Sequence, residues 1–149
     1  FFYYISTVIK TNTYMKKTIL ALAILISFNS FAQSYEIIGE VKWGPMFVAD
    51  LTKYSDDNYV ISYQDAKFKA IENIKEFSMS ESDKENVLST MNNQLLGGES
   101  TTIELGDKML SISTFKKKKS IMITVLDVKT DISSFFTLRA KDINKLFSK

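Results

Sequence analysis

The segment YEIIGEVKWGPMFVADLTKY, residues 35–54, decides the fold because apolar residues alternate along both of its halves. Successive side chains of a strand point to opposite faces, so a two-residue period predicts strands. Gly44 and Pro45 interrupt the alternation, and the segment therefore predicts two successive strands. The residues expected to share a face are Tyr35, Ile37, Gly39, Val41 and Trp43 in the first strand, and Phe47, Ala49 and Leu51 in the second.

The next residues extend the same pattern. The polar run 55–58 has the composition of a turn, because short polar side chains hydrogen-bond to their own backbone. Tyr59, Ile61 and Tyr63 alternate after it and predict a third strand, which forms a hairpin with the second. The sequence FKAIENIKEFSM is compatible with helix or strand, and we predict a strand near residues 73–78.

Residues 82–96 give the clearest helix signal. Ser82 and Glu85 fit a capping box, in which each side chain binds a free backbone N–H group of the first turn. An apolar stripe follows, and Gly97 ends the helix because glycine adopts the left-handed conformation without penalty. Beyond it, strands are predicted over 101–105, 108–115, 121–128 and 133–139, and a short helix over 140–147. The predicted fold class is α+β, with a single antiparallel sheet of about 6–7 strands, one central helix and a short C-terminal helix.

Residues 15–32, MKKTILALAILISFNSFA, have the composition of a signal peptide. Two lysines precede an apolar run, Thr18 to Phe28, that is too short for the roughly 20 residues of a membrane-spanning helix. Small residues at Ser30 and Ala32 predict cleavage after Ala32, and an uncleaved N-terminal anchor is the alternative. We interpret residues 1–14 as an untranslated upstream extension and residues 33–149 as a single α+β domain.

The charge balance excludes nucleic acid as a predicted partner. Removal of residues 1–32 takes away Lys10, Lys16 and Lys17, which changes the formal net charge from +2 to −1. The chain contains no cysteine, so the domain must be stabilised by its apolar core without disulfides. We expect a periplasmic or secreted protein with no stable membrane span after cleavage, whose partner is a protein or a component of the cell envelope.

The side chains available for catalysis are few, because the chain has neither histidine nor cysteine. The chain therefore lacks the commonest general base and the strongest nucleophile of enzymes. It also lacks the two side chains that most often bind zinc. The Ser113–Lys116 sequence matches S-x-x-K, but residues three apart on a strand face opposite sides. We predict no enzyme, no catalytic residue, no metal site and no cofactor. Asp50, Asp65, Asp127 and Asp131 keep a carboxylate-based hydrolase open as the last alternative.

Two groups of residues are candidate binding sites. Trp43, Tyr59 and Tyr63 are predicted to line a cleft for a small ligand, since tyrosine combines an apolar ring with a hydroxyl group. The alternative for these residues is a place in the core or at its rim. Lys116, Lys117, Lys118 and Lys119 are predicted to form a basic hairpin tip that contacts anionic lipid, lipopolysaccharide or a polyanion. Their alternative role is a solvated turn that discourages edge-to-edge pairing of strands.

The chain resembles short exported proteins of Gram-negative bacteria with AT-rich genomes. The resemblance rests on MKKTILALAILISFNSFAQ, YVISYQDAKFKAI, the terminal AKDINKLFSK and a composition rich in Lys, Ile, Asn and Ser. This group has no established activity, so the resemblance implies export and assigns no site residue. The first functional hypothesis is a non-enzymatic exported module that binds a protein or an envelope partner. A small-ligand-binding domain is the alternative, and a carboxylate-based hydrolase is the second alternative.

Overall fold

The computed structural model describes residues 34–68, 70–115 and 120–148, which contain eight strands and two helices. The strands are β1 (Tyr35–Trp43), β2 (Met46–Tyr54), β3 (Tyr59–Gln64), β4 (Ile74–Met79), β5 (Thr101–Leu105), β6 (Lys108–Phe115), β7 (Ser120–Asp127) and β8 (Ile132–Arg139). The helices are α1 (Glu81–Leu95) and α2 (Ala140–Phe147). The predicted α+β class and the antiparallel pairing are confirmed, including the strand near residues 73–78.

The prediction of a single sheet of about 6–7 strands is wrong. In the described residues the strands form two four-stranded antiparallel sheets, in the orders β1-β2-β3-β4 and β5-β6-β7-β8. Within each sheet, consecutive strands of the chain pair with one another, which is the arrangement that antiparallel strands allow. The 15-residue helix α1 lies between β4 and β5 in the chain, and those two strands do not pair.

Strand β1 does not keep one face from end to end as the alternation predicted. Ile37 lies opposite Thr52, but Gly39 lies opposite Leu51, so Ile38 is an extra residue at a β-bulge. A bulge shifts the alternation by one residue. Tyr35 and Ile37 are therefore 66% and 51% exposed.

The N-cap of helix α1 lies two residues earlier than the sequence pattern indicated. Ser80 is the N-cap, and its Oγ accepts a hydrogen bond from the backbone N–H of Asp83 at 3.2 Å. The Asp83 carboxylate accepts in return from the Ser80 backbone N–H at 3.2 Å. The capping box is therefore formed by Ser80 and Asp83, which have the same spacing as the predicted pair, Ser82 and Glu85. The helix ends before Gly97, whose φ of 98° lies in the left-handed region.

One hydrophobic core joins both sheets and both helices. Helix α1 contacts β4, β5, β6 and β7, whereas α2 contacts β1, β2 and β8. Ile143 and Leu146 of α2 are completely buried in this core, and Phe147 is partly buried against it. Residues Tyr35–Lys149 form one compact unit. Among the described residues, no helix has both the length and the apolar character needed to span a membrane.

Candidate functional site

A cleft of about 1050 Å³ opens where β8 and the start of α2 meet the ends of β1, β2, β3, β6 and β7. We call it the β8 cleft. Most of its described lining is apolar or aromatic, and the principal residues are Trp43, Met46, Phe47, Phe115, Met122 and Phe135. A mostly apolar concavity with a few polar groups is the usual form of a small-molecule site.

One face of β8 forms a wall along the length of the cleft. Phe135, Thr137 and Arg139 alternate along the strand and all line the cleft. Arg139 lies opposite Ser120 of β7, and Ser120 lies opposite Phe115 of β6. The cleft is therefore apolar where β8 passes Phe135 and becomes cationic where β8 joins α2.

A buried carboxylate holds the cationic end in place. Asp142 is 4% exposed, and its Oδ2 accepts hydrogen bonds from Arg139 Nε at 2.6 Å and from Trp43 Nε1 at 3.1 Å. Its Oδ1 accepts from Arg139 Nη2 at 3.1 Å. The guanidinium lies 4.8 Å from the centre of the Trp43 ring. Burial opposes ionisation of Asp142, but these hydrogen bonds outweigh it and lower the pKa of the carboxyl.

A second buried carboxylate fixes the opposite end. Asp65 follows β3 and is 2% exposed. Its Oδ1 accepts hydrogen bonds from the backbone N–H groups of Lys67 at 3.1 Å and Phe135 at 3.3 Å. The Ala66 backbone N–H donates to the Phe135 carbonyl at 2.8 Å. The segment after β3 thereby binds the outer edge of β8, which joins the two sheets beside the cleft.

Most other polar groups on the lining already have partners. Gln64 Nε2 donates to the Ile71 carbonyl at 3.0 Å, and its Oε1 accepts from the Asn73 backbone N–H at 3.2 Å. Ser120 Oγ donates to the Phe115 carbonyl at 3.2 Å. Thr137 and Lys141 are the exceptions, because neither side chain makes a hydrogen bond or ion pair within the described residues.

The structure separates the three aromatic residues that the sequence analysis grouped. Trp43 lines the β8 cleft and is half-buried. Tyr63 is 1% exposed, with its hydroxyl 2.6 Å from Ser134 Oγ and its ring stacked on Phe136 at 4.5 Å. Tyr59 is 4% exposed. Both tyrosines therefore belong to the core, and neither is among the described lining residues of the cleft.

The basic hairpin tip falls outside the description. Lys116, Lys117, Lys118 and Lys119 lie outside the described residues. The sequence connects them directly to Phe115 and Ser120.

The candidate carboxylates do not form a pair on the cleft. Among the described residues Asp65 is the one acidic side chain on its lining. Asp127 binds Lys108, which lowers the pKa of the Asp127 carboxyl to about 2, and Asp131 occupies a turn with a φ of 55°. No group of three potential metal ligands occurs in the described part of the chain.

The surroundings of Asp50 disfavour the charged form of its carboxyl. It lies opposite Glu40 on the neighbouring strand, and its Oδ1 is buried with no hydrogen-bond partner in the described residues. Burial raises the pKa of the Asp50 carboxyl, Ser62 offsets part of that rise, and the charge of Glu40 adds to it. The charged form is thus destabilised by folding.

Asp50→Asn is expected to increase the free energy of unfolding near neutral pH by about 0.5–1 kcal/mol. A carboxyl whose pKa is raised by folding favours the native state at low pH and loses that contribution as the pH rises. Urea unfolding near neutral pH measures the change. Asp56→Asn in the exposed turn is the matched control and should change stability by less than about 0.5 kcal/mol. A loss of stability in Asp50→Asn would contradict this assignment.

Arg139, Asp142 and the Phe135 face of β8 were not predicted from the sequence as site residues. The doublet Phe135-Phe136 places one ring on each face of a strand, which was the available signal for a second apolar surface. Comparisons with protein-family models, with curated proteins and with solved structures find no match to this chain.

Proposed function

We propose that this protein binds a small, mostly apolar molecule in the β8 cleft. The observation that carries the proposal is the cleft itself, about 1050 Å³ in volume with a mainly apolar and aromatic lining. Sites for small molecules are typically about 300–1000 Å³ and bury most of the ligand surface. The cleft is slightly larger than that range, which suits a ligand with a long chain or several rings.

The polar groups of the lining support the binding of an apolar ligand, because most of them are already hydrogen-bonded within the protein. Asp65 and Gln64 are engaged in internal hydrogen bonds, so they hold the walls and leave little capacity for a polar ligand. Binding energy then comes from the apolar area removed from water, at about 0.8 kcal/mol for each buried methylene group. The loss of translational and rotational freedom offsets part of that gain.

A ligand can be detected through Trp43, which is the only tryptophan in the chain and lines the cleft. We expect dodecanol to shift the tryptophan emission to the blue and to displace the neutral dye Nile red. Thr137→Phe, which fills the cleft beside Phe135, should weaken both ligands by about tenfold. An unchanged emission with no dye binding would overturn the proposal.

The matched control for this experiment is Thr102→Phe. Thr102 is exposed on β5, pairs with Ser111 and is not among the lining residues. The same substitution at this position should leave the affinities unchanged. Equal weakening by both variants would show that the dye binds elsewhere on the surface.

Binding of a protein or envelope partner is the second candidate. The observation that favours it is the exposed start of β1, where the ring of Tyr35 lies 6.2 Å from that of Tyr54 beside exposed Ile37. Exposed apolar patches are typical of interaction surfaces. Both candidates include the export expected from residues 15–32. A carboxylate-based hydrolase is not proposed, because the described cleft lining presents no second carboxylate opposite Asp65.

A further inference from the structure

We propose that the ligand of the β8 cleft is a single-chain anionic amphiphile, whose alkyl chain lies beside Phe135 and whose carboxylate lies at the Arg139–Lys141 end. This inference rests on the proposed function and adds the chemical class of the ligand. It depends on three features of the described residues: the unused cationic groups, the shielded carboxylates and the position of the apolar walls.

The cationic groups at the β8–α2 junction retain unused hydrogen-bond donors. Arg139 donates to Asp142 through Nε and Nη2, which leaves Nη1 without a partner in the described residues. Lys141 lines the cleft and is exposed, with no ion pair among those residues. An unpaired ammonium group and a guanidinium group with a donor to spare, placed beside an apolar surface, match a carboxylate at the end of an alkyl chain.

Asp142 offsets the charge of Arg139, but no carboxylate among the described residues pairs with Lys141. Asp142 is itself buried and is not among the lining residues, so it does not present a negative charge to a ligand in the cleft. Asp65 lies where β8 passes Phe135, and two backbone N–H groups bind its Oδ1. The two ends of the lining therefore differ in charge. The unpaired cation, Lys141, lies at one end, and the hydrogen-bonded carboxylate of Asp65 lies at the other.

The apolar walls extend from the cationic end along β8. Phe115 lies in the same cross-strand row as Arg139, while Phe135 lies four residues earlier on the same face of β8. An alkyl chain anchored at Arg139 and Lys141 would bury its methylene groups against these rings. The same geometry disfavours a cationic head group, since like charges repel.

Competition with Nile red near neutral pH tests the inference with three ligands that share one alkyl chain. These are dodecanoate, dodecanol and dodecyltrimethylammonium, each held below its micelle concentration. Dodecanoate is expected to bind about fivefold more tightly than dodecanol, and the ammonium compound more weakly than either. Sodium chloride at about 0.5 M should reduce the advantage of dodecanoate, because salt screens exposed charges.

Lys141→Gln and Lys145→Gln form a matched pair on the same helix. Each removes one positive charge, but only Lys141 is among the lining residues. Lys141→Gln should remove most of the dodecanoate advantage without affecting dodecanol, whereas Lys145→Gln should leave both affinities unchanged. Equal effects of the two variants would overturn the placement of the carboxylate.

The outcomes separate this inference from the proposed function. Equal affinities for dodecanoate and dodecanol would overturn the anionic ligand while the apolar-binding function stands. Failure of all three ligands to displace Nile red, or to shift the Trp43 emission, would overturn the proposed function itself. Cosedimentation with phosphatidylglycerol vesicles without binding of free dodecanoate would assign the cationic end to a membrane surface and would also overturn the inference.

Discussion

Gly39→Ala is expected to lower the free energy of unfolding by about 3 kcal/mol or more. Gly39 lies on β1 where the last turn of α2 rests directly on the strand. An alanine Cβ at this position would overlap the carbonyl oxygens of Lys145 and Leu146 and would lie 2.7 Å from the Leu146 carbonyl carbon. These are backbone atoms, so no side-chain rotation can relieve the contact.

Intrinsic strand propensity alone would predict that Gly39→Ala increases the free energy of unfolding, which is the opposite of the expected result. Glycine in a strand is less favourable than alanine by about 0.5–1 kcal/mol, so the substitution would stabilise the protein if space were available. Here α2 must move away from β1, and Ile143 and Leu146 would leave positions in which they are fully buried. Urea unfolding followed by Trp43 fluorescence and by far-UV circular dichroism measures the loss.

Gly44→Ala is the control for this prediction. Gly44 has a φ of 64° in the turn between β1 and β2, and a Cβ there would meet no atom within 4 Å. The cost is then limited to backbone strain, about 1 kcal/mol. A Gly39→Ala variant that is as stable as Gly44→Ala would contradict the close contact between α2 and β1.

The alternation of apolar residues predicted most strands but could not predict how the sheets divide. Tyr59, Ile61 and Tyr63 share a buried face as expected, since each position in β3 obeys a two-residue period. The period carries no information about the partner of an edge strand. Whether β4 pairs with β5 depends on how the chain packs after α1, the helix that separates the two strands in sequence, and this is a tertiary property. The bulge at Ile38 likewise depends on the pairing with β2.

The candidate site was only partly predictable for the same reason. Trp43 was identified as an aromatic residue that lines a cleft, whereas the face of β3 that carries Tyr59 and Tyr63 packs into the core. The Phe135 face of β8 becomes a cleft wall because the segment at Asp65 and Ala66 binds the edge of that strand. That contact joins residues 70 positions apart in the chain, and the local pattern does not encode it.

Asp142→Ala is expected to lower the free energy of unfolding by about 3 kcal/mol. The substitution leaves the Trp43 indole N–H and the Arg139 Nε–H without the acceptor that they share. It also removes the acidic side chain from the first turn of α2, where a negative charge stabilises the helix. Arg139 is partly exposed and can be rehydrated, so the loss should fall at the lower end of the range of about 3–5 kcal/mol for breaking a buried ion pair.

The pH dependence of stability should change in the same variant. The pKa of Asp142 is lowered from its ordinary value of 3.8, so the carboxylate stabilises the native state above that pH and loses its contribution as the pH falls through the native pKa. Unfolding curves of Asp142→Ala should therefore be less steeply dependent on pH than those of the wild type in the acid range. Release of Trp43 should also shift its emission to the red.

Asp107→Ala is the matched control for Asp142→Ala, because it also removes an acidic side chain that forms ion pairs. Its carboxylate is 3.4 Å from Lys129 and 3.9 Å from Lys108, but its side chain is 44% exposed. Exposed ion pairs contribute about 0–1 kcal/mol, so this variant should unfold almost as the wild type does and retain the Trp43 emission. An equal loss of stability in the two variants would mean that the buried network around Asp142 does not hold α2 and Trp43 together, and the cationic end of the β8 cleft would lose its structural basis.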